Sequence, residues 1–295
     1  MRKHMSTVWL ELLGAEVRWY DAGGVRTRCI EAGEGPALIL LHGVGGHAEA
    51  FARNVVPLAR RFRVMAIDYL GFGLTDKPAQ PADRDAYVAH LVALMDAAGV
   101  DQAHLAGESL GGWISMWTAL LHPDRVDRLI SVCGARLEVE TDDASRQHVR
   151  DGLAELRQLT KAFVAAPSRD AVRRRMEWLF HDPQASLTEE LVDIRWRLYQ
   201  ETEAARVLAD ASQRTSDLPA GETNGLTPVE LGKIQQPTLM LWTSDNPTTT
   251  AATARRAAQH IPDCRFELME RCGHWPQWED PATFNRIVTD FLASP

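Results

Sequence analysis

Three features are scarce in this sequence of 295 residues: long apolar runs, long basic runs and paired cysteines. No stretch approaches the ~18 continuous apolar residues of a transmembrane helix, which argues against an integral membrane protein. The apolar stretch after the basic N-terminus is broken at Glu11 and is too short for a signal peptide. The formal net charge is −8, so neither nucleic acid nor an anionic membrane is expected as a partner. The densest basic cluster, Arg173-Arg174-Arg175, is interpreted as a solvated helix face.

The four cysteines do not form a recognisable metal or disulfide pattern. They show no CxxC spacing, and two of them lie in apolar stretches typical of strands. Free thiols in a reducing compartment are the simplest interpretation, which predicts a cytoplasmic protein with no metal site and no cofactor. A small-molecule substrate is the expected partner. The sequence leaves the oligomeric state open, and a homo-oligomer is one option.

Alternating strand and helix patterns predict an α/β fold with a helical insertion. The continuous apolar run 37–41 is typical of a strand buried on both faces, and strand patterns alternate with helical ones up to residue 133. From about residue 136 to 230 the strand patterns stop and amphipathic helical patterns replace them. Strand patterns then return. This order predicts one mostly parallel sheet with helices on both faces.

The most informative segment is Gly107-Glu108-Ser109-Leu110-Gly111, which joins a strand pattern to a helical pattern. At such a turn a Gly-x-Ser-x-Gly sequence holds the serine hydroxyl clear of the sheet, and the two glycines avoid collisions in the tight bend. The alternative is a glycine-rich turn with a solvent-exposed serine. The amphipathic pattern that follows favours a nucleophile elbow.

A serine nucleophile needs a base, a group that orients the base, and N–H donors for the oxyanion. His274 follows the last strand pattern in a loop, where an imidazole can reach the C-terminal edge of the sheet. A surface histidine is the alternative. The turn His42-Gly43-Val44-Gly45-Gly46 follows another strand, so the N–H groups of Val44 and Leu110 are predicted to form the oxyanion hole. A plain glycine turn is the alternative there.

Together these residues resemble the α/β-hydrolase fold. That resemblance implies a mostly parallel, eight-stranded sheet with helices on both faces and a helical cap inserted after the sixth strand. Within that superfamily the chain resembles the meta-cleavage product hydrolases, which cleave a carbon–carbon bond during aromatic degradation. The similarity covers nearly the whole chain and is sharpest in residues 272–279 and 179–191. It implies the following segments: a first core part, 1–135; a cap, 136–231; and a second core part, 232–295.

The resemblance also implies residues that bind substrate. In that family the arginine of an Arg-Trp pair binds the carboxylate end of a 2-hydroxy-dienoate, and the tryptophan after the histidine lines the pocket. These residues correspond to Arg195 and Trp275, with Gly43 beside them. The alternatives are an ion pair of Arg195 with acidic residues on the surface of its own helix, and a plain core position for Trp275.

The chain departs from the family pattern in three places. Glu108 stands where an asparagine is typical, the oxyanion turn is shorter and lacks proline, and the triad aspartate falls on Asn246, one residue after Asp245. An aspartate fixes the imidazole tautomer and stabilises the imidazolium, and its change to asparagine costs about 10⁴-fold in a serine protease. We therefore predict that Asp245 orients His274, with Asn246 as the alternative.

The leading prediction is a serine hydrolase that cleaves a carbon–carbon bond in a 2-hydroxy-6-oxo-dienoate, a ring-fission product of aromatic degradation. A carboxylesterase or lactonase acting on a small organic ester uses the same catalytic groups and is the alternative. A ligand receptor without activity is disfavoured, because a binding protein has no use for a strained elbow. A dehalogenase with an aspartate nucleophile is excluded by Ser109.

Overall fold

The computed structural model describes residues 7–139, 141–200, 206–208 and 225–293. Eight strands form one sheet, in the spatial order β1-β2-β4-β3-β5-β6-β7-β8. The strands are β1 (Glu16–Ala22), β2 (Val25–Ala32), β3 (Ala37–Leu41), β4 (Arg63–Ile67), β5 (Ala103–Glu108), β6 (Val126–Val132), β7 (Thr238–Thr243) and β8 (Cys264–Met269).

The sheet is mostly parallel, as predicted. Strand β2 runs antiparallel to both of its neighbours, and every other neighbouring pair is parallel. Successive side chains of a strand point to opposite faces, so Leu38 and Leu40 pack into one core and Ile39 and Leu41 into the other. The unbroken apolar sequence of β3 is therefore explained by helices that cover both faces.

The helices of the described residues flank the sheet and fill the interval between β6 and β7. They are α1 (Val8–Glu11), α2 (Ala52–Leu58), α3 (Arg84–Ala97), α4 (Leu110–Leu121), α5 (Asp143–Ala165), α6 (Arg169–Glu177), α7 (Pro183–Ser186), α8 (Glu189–Tyr199), α9 (Pro228–Leu231), α10 (Ala251–Ala258), α11 (Pro276–Glu279) and α12 (Pro281–Leu292). Short 3-10 helices span Ala48–Phe51 and Pro123–Arg125. None of the helices in the described ranges is long and apolar enough to cross a membrane.

Helices α5 to α8, called here the inserted helices, lie between β6 and β7 as the amphipathic patterns predict. Each long helix begins at a residue whose side chain caps it. The Asp142 carboxylate accepts from Ser145 N, and the Thr188 hydroxyl accepts from Leu191 N. The predicted bounds 136–231 stay a prediction, since residues 140, 201–205 and 209–224 lie outside the described residues.

Candidate active site

Ser109 lies at the turn from β5 to α4 in a backbone conformation that side chains rarely adopt, with φ +52° and ψ −113°. Its N–H donates to Val132 O at 2.9 Å, which ties the turn to β6. A Cβ on Gly107 would lie 2.2 Å from Gly111 C, and a Cβ on Gly111 would lie 2.3 Å from Leu41 O. The predicted elbow geometry and the need for both glycines are therefore confirmed.

His274 lies in the loop after β8, docked on the backbone that follows α6. Its N–H donates to Leu179 O at 2.6 Å. A Cβ on Gly273 would lie 2.4 Å from that same oxygen, so glycine is needed for the close approach. The Glu279 carboxylate accepts from Gly273 N at 2.7 Å and from His181 N at 2.8 Å, which bridges the loop to the inserted helices.

The predicted contact between Asp245 and His274 is wrong. Asn246 Oδ1 lies 3.2 Å from His274 Nδ1, and Asn246 is 3% exposed. The Asp245 side chain is 46% exposed; its Oδ2 lies 3.2 Å from Nδ1 of His181 and accepts from the Ser244 hydroxyl at 2.6 Å. The position that the family pattern indicates is thus occupied by a neutral amide.

The backbone after β7 explains this choice. Two hydrogen bonds tie this segment to the end of β8 and to the loop after it, from Ser244 N to Met269 O and from Asp245 N to Cys272 O, each 3.1 Å. Ser244 and Asp245 form a turn after the end of β7. In that turn Asp245 is exposed and faces His181, and the buried Asn246 that follows faces the histidine.

Asn246 also fixes the tautomer of His274. Its Oδ1 accepts from Thr248 N at 3.0 Å and from the Thr248 hydroxyl at 2.9 Å, so the oxygen, and not the amide nitrogen, faces the ring. A neutral imidazole that faces this oxygen carries its proton on Nδ1 and a lone pair on Nε2. Burial, with a smaller contribution from the nearby Arg175 charge, lowers the pKa of His274 to about 4, so the neutral base is the form present near pH 7.

Glu108, the residue before the serine, contacts both the histidine and the oxyanion turn. Its Oε2 accepts from Gly43 N at 2.6 Å, and its Oε1 lies 3.1 Å from His274 Nε2 without a hydrogen bond of ordinary geometry. Glu108 is 1% exposed, and burial raises its pKa to about 8, although the Gly43 N–H and the nearby arginines favour the ionised form. Sequence reasoning noted Glu108 as a departure but assigned it no role. The hydrogen bond to Glu108 occupies the N–H of Gly43, which is a predicted substrate-binding residue.

The oxyanion turn is held by the inserted helices. Gly46 N donates to Gly43 O at 2.9 Å and closes the turn. Arg175 Nη2 donates to Val44 O at 3.3 Å, and the Tyr199 hydroxyl donates to Gly45 O. These bonds fix the peptide planes on either side of Gly45, while the Leu110 N–H starts helix α4. Val44 N–H and Leu110 N–H stay the predicted oxyanion donors.

Arg195 is buried and lacks an acidic partner among the described residues. It is 1% exposed, its guanidinium lies 4.8 Å from the centroid of the Trp275 ring, and its three side-chain nitrogens have no hydrogen-bond partner. The alternative of a surface ion pair is wrong, because the acids Glu189 and Asp193 of α8 pair with Arg169 of α6 instead. A buried cation without a partner is costly unless an anion joins it. Trp275 itself is buried and lines the cavity beside Ser109.

Arg175 reaches the site although its sequence cluster was interpreted as solvated. Arg174 is exposed, but Arg175 is 2% exposed and lines the same cavity as Ser109. Its Nη1 has no hydrogen-bond partner. Helical spacing could have found it, since Arg175 shares a face with the buried apolar residues Val172 and Met176.

A small cavity joins the serine to the histidine. Its lining residues are Gly43, Val44, Glu108, Ser109, Leu156, Arg175, Leu179, His274 and Trp275. The Arg175 cation in this lining, with Arg195 behind Trp275, makes the site suited to an anion. Among the described residues, no group of His, Cys, Asp and Glu could hold a metal ion.

This sheet, with its elbow serine and loop histidine, is the frame of a known class of enzyme. Residues 36–281 match the family model of the α/β hydrolase fold, and the chain belongs to that family of hydrolases.

Relatives within that family define the chain more closely. It is 32% identical over 270 residues, 90% of each chain, to a 2-hydroxy-6-oxononadienedioate/2-hydroxy-6-oxononatrienedioate hydrolase of Comamonas testosteroni. It is 30% identical, over 96% of this chain and 98% of the relative, to a 2-hydroxy-6-oxo-2,4-heptadienoate hydrolase of Pseudomonas putida. Its structure is similar to that of a meta-cleavage product hydrolase from Pseudomonas fluorescens IP01, with a TM-score of 0.77, 26% identity and coverage of 95% and 98% of the two chains. The resemblance seen in the sequence is thereby confirmed.

Proposed function

We propose that this chain is a serine hydrolase that cleaves a carbon–carbon bond in a 2-hydroxy-6-oxo-dienoate. Ser109 is the nucleophile, His274 the base and Asn246 the group that orients it. The relatives' names share the 2-hydroxy-6-oxo acid, which supports this substrate class. Residues 136–231 are proposed as the cap over a core made by residues 1–135 and 232–295.

The observation that carries the substrate class is the unpartnered guanidinium of Arg195. Its three buried nitrogens have no acceptor, and the Trp275 ring beside it also lines the cavity of Ser109. A carboxylate supplies two acceptor oxygens and the missing negative charge in one group. A neutral ester supplies neither a charge nor a pair of equivalent oxygens.

The reaction follows from these positions. Arg195 binds the carboxylate and places the 6-oxo carbonyl at Ser109. The Ser109 oxygen bonds to the carbonyl carbon, its proton moves to His274 Nε2, and the carbonyl π pair moves to the oxygen facing the N–H groups of Val44 and Leu110. The bond breaks in the 2-oxo tautomer of the substrate, in which the proton of the 2-hydroxy group has moved to C5. When the carbonyl re-forms, the C5–C6 bond breaks and its electron pair passes through the conjugated enone to the 2-oxygen, which takes the proton from His274 and gives a 2-hydroxy-dienoate. Water activated by His274 then hydrolyses the acyl-enzyme.

Substitution of Arg195 tests the substrate class. We expect Arg195→Gln to lower kcat/KM for a 2-hydroxy-6-oxo-dienoate by about 10²-fold, because two charge-assisted hydrogen bonds are lost. Hydrolysis of p-nitrophenyl acetate should stay within about threefold, since the nucleophile and base are unchanged. Arg195→Lys restores the charge without the planar fork and should recover part of the activity.

Arg197→Gln is the matched control, because Arg197 is exposed on the same helix. Decay of the dienoate's visible absorbance and release of p-nitrophenol give the two rates. Equal effects of Arg195→Gln on the acidic and neutral substrates would replace the proposal by a carboxylesterase or lactonase.

A further inference from the structure

The acid of a serine hydrolase triad has two tasks. It accepts the Nδ1 proton, which fixes the tautomer of the histidine, and it carries a negative charge, which stabilises the imidazolium that forms when the base takes the serine proton. Asn246 performs the first task through the contact of Oδ1 with Nδ1 at 3.2 Å. As a neutral amide it cannot perform the second.

A carboxyl group contacts His274 at the opposite edge of the ring. Glu108 Oε1 lies 3.1 Å from Nε2, and the other oxygen is anchored by the Gly43 N–H at 2.6 Å. Glu108 is the last residue of β5, buried at every position of that strand. Its carboxyl group is therefore held in place from both ends, next to the nitrogen that takes the proton.

We infer that Glu108 supplies at Nε2 the negative charge that Asn246 does not supply at Nδ1, so that two residues divide the tasks of one triad acid. This inference rests on the proposed serine hydrolase reaction. Glu108 is a positioning residue that acts through His274, and Ser109 and His274 remain the catalytic residues.

One proton is transferred in this arrangement, from Ser109 to His274 and then to the leaving group. When Ser109 Oγ bonds to the carbonyl carbon, its proton passes to His274 Nε2 and the carbonyl π pair passes to the oxygen. The imidazolium so formed lies beside Oε1, and an ionised Glu108 stabilises it. Oε1 makes no hydrogen bond of ordinary geometry to Nε2 in the resting site. The leaving group takes the proton from His274, and Glu108 itself exchanges none.

Several ionisable groups face the Glu108 carboxyl group from the elements around it. They are His274 after β8, Arg175 of α6, Arg195 of α8, Cys133 after β6 and Tyr69 after β4. Burial raises the pKa of the Cys133 thiol and of the Tyr69 phenol, so both stay neutral. Burial also raises the pKa of Glu108 to about 8 against the opposing effect of the two guanidiniums, so its carboxylate becomes the main form above that pH and the acid form is the main one below it. A carboxylate beside the imidazolium raises the pKa of His274 above its value without that charge. The acid limb of kcat/KM therefore lies at higher pH with Glu108 than without it.

The pH dependence of kcat/KM for p-nitrophenyl acetate, from about pH 4 to about pH 10, measures this effect. Glu108→Gln keeps an acceptor for the Gly43 N–H and removes the charge. We expect the plateau of kcat/KM to fall by about 10- to 100-fold and the acid limb to move down by about one pH unit or more. Glu31→Gln is the matched control, because Glu31 is a buried carboxylate of β2 that pairs with Arg63. Glu31→Gln should leave the pH of the acid limb of kcat/KM unchanged.

A second substitution distinguishes charge from structure. Asn246→Asp places a carboxylate at Nδ1, so we expect it to raise kcat/KM at least about tenfold in the Glu108→Gln background and by much less in the wild type. Glu108→Asn, also neutral, replaces Glu108→Gln if circular dichroism shows that the latter does not fold.

An unshifted acid limb, or the same factor for Asn246→Asp in both backgrounds, would overturn the inference and leave Glu108 as a support for the oxyanion turn. If the wild type is an active hydrolase that loses activity with Ser109→Ala, either of these results overturns the role of Glu108 and leaves the proposed function standing. A wild type without hydrolase activity on either substrate would overturn the proposed function and this inference together.

Discussion

The core and the inserted helices contribute different kinds of groups to the site. Core elements carry the proposed groups of the reaction, Ser109, His274 and Asn246, and the side chains of the histidine and the asparagine are hydrogen-bonded to each other. The inserted helices carry the cations Arg175 and Arg195, whose nitrogens are wholly or partly unpartnered. Groups that must keep one geometry lie on the rigid sheet edge, whereas groups that await a ligand lie on the helices above it.

The largest effect is expected from substitution of the proposed catalytic groups that the core carries. Ser109→Ala and His274→Ala should each lower kcat by about 10⁴-fold or more with both the dienoate and the ester, and the double variant should lose little further, because the two residues act as a unit. Ser115→Ala is the control: its buried hydroxyl, on α4, bonds to Gly111 O. A folded Ser109→Ala protein that kept more than about a tenth of the wild-type rate would contradict the assigned nucleophile.

The second test asks which of two adjacent residues orients His274, because the Asn246 side chain faces His274 and the Asp245 side chain faces His181. Asn246→Ala removes the acceptor of the Nδ1 proton, so the histidine is free to adopt the unproductive tautomer, and kcat should fall by about 10²- to 10³-fold. Asp245→Ala should stay within about threefold, since its carboxylate faces His181. Steady-state kinetics of both variants decide the assignment, and a larger loss with Asp245→Ala would restore the expectation from the sequence.

Substitution of Arg175 has the smallest expected effect and tests what the inserted helices contribute to the site. Arg175→Gln weakens the hold on Val44 O and removes a cation from the cavity, so kcat/KM for a dienoate should fall about tenfold. Arg174→Gln, an exposed neighbour, should have no effect.

The size of the Arg175 effect should depend on the charge of the substrate. We expect a larger loss with 2-hydroxy-6-oxononadienedioate, which has a second carboxylate, than with 2-hydroxy-6-oxohepta-2,4-dienoate. Equal losses would mean that Arg175 serves the oxyanion turn and contacts no substrate carboxylate.

The parts of the fold that depend on local patterns could be predicted from the sequence. The strand patterns of β3 and β7, the amphipathic pattern of α5 and the elbow glycines each depend on residues close together in the chain, and the structure confirms them. His274 was found in the same way, because a loop after a terminal strand places a side chain at the sheet edge.

The contacts that decide the chemistry of the site are different in kind. They join Glu108 at the end of β5, Asn246 after β7 and His274 after β8. They also include Arg175, whose burial depends on where α6 packs. A shift of one residue after β7 exchanges Asp245 for Asn246, and no local pattern fixes that register.

The sequence by itself therefore determined an α/β hydrolase with an elbow serine and a loop histidine, because turn chemistry and hydrophobic periodicity are properties of short segments. The tertiary structure alone decided which side chain faces each nitrogen of the histidine and which arginines are buried. Those outcomes depend on the turn that follows β7 and on the packing of α6 and α8 over the sheet edge, where residues far apart in the chain come within hydrogen-bond distance.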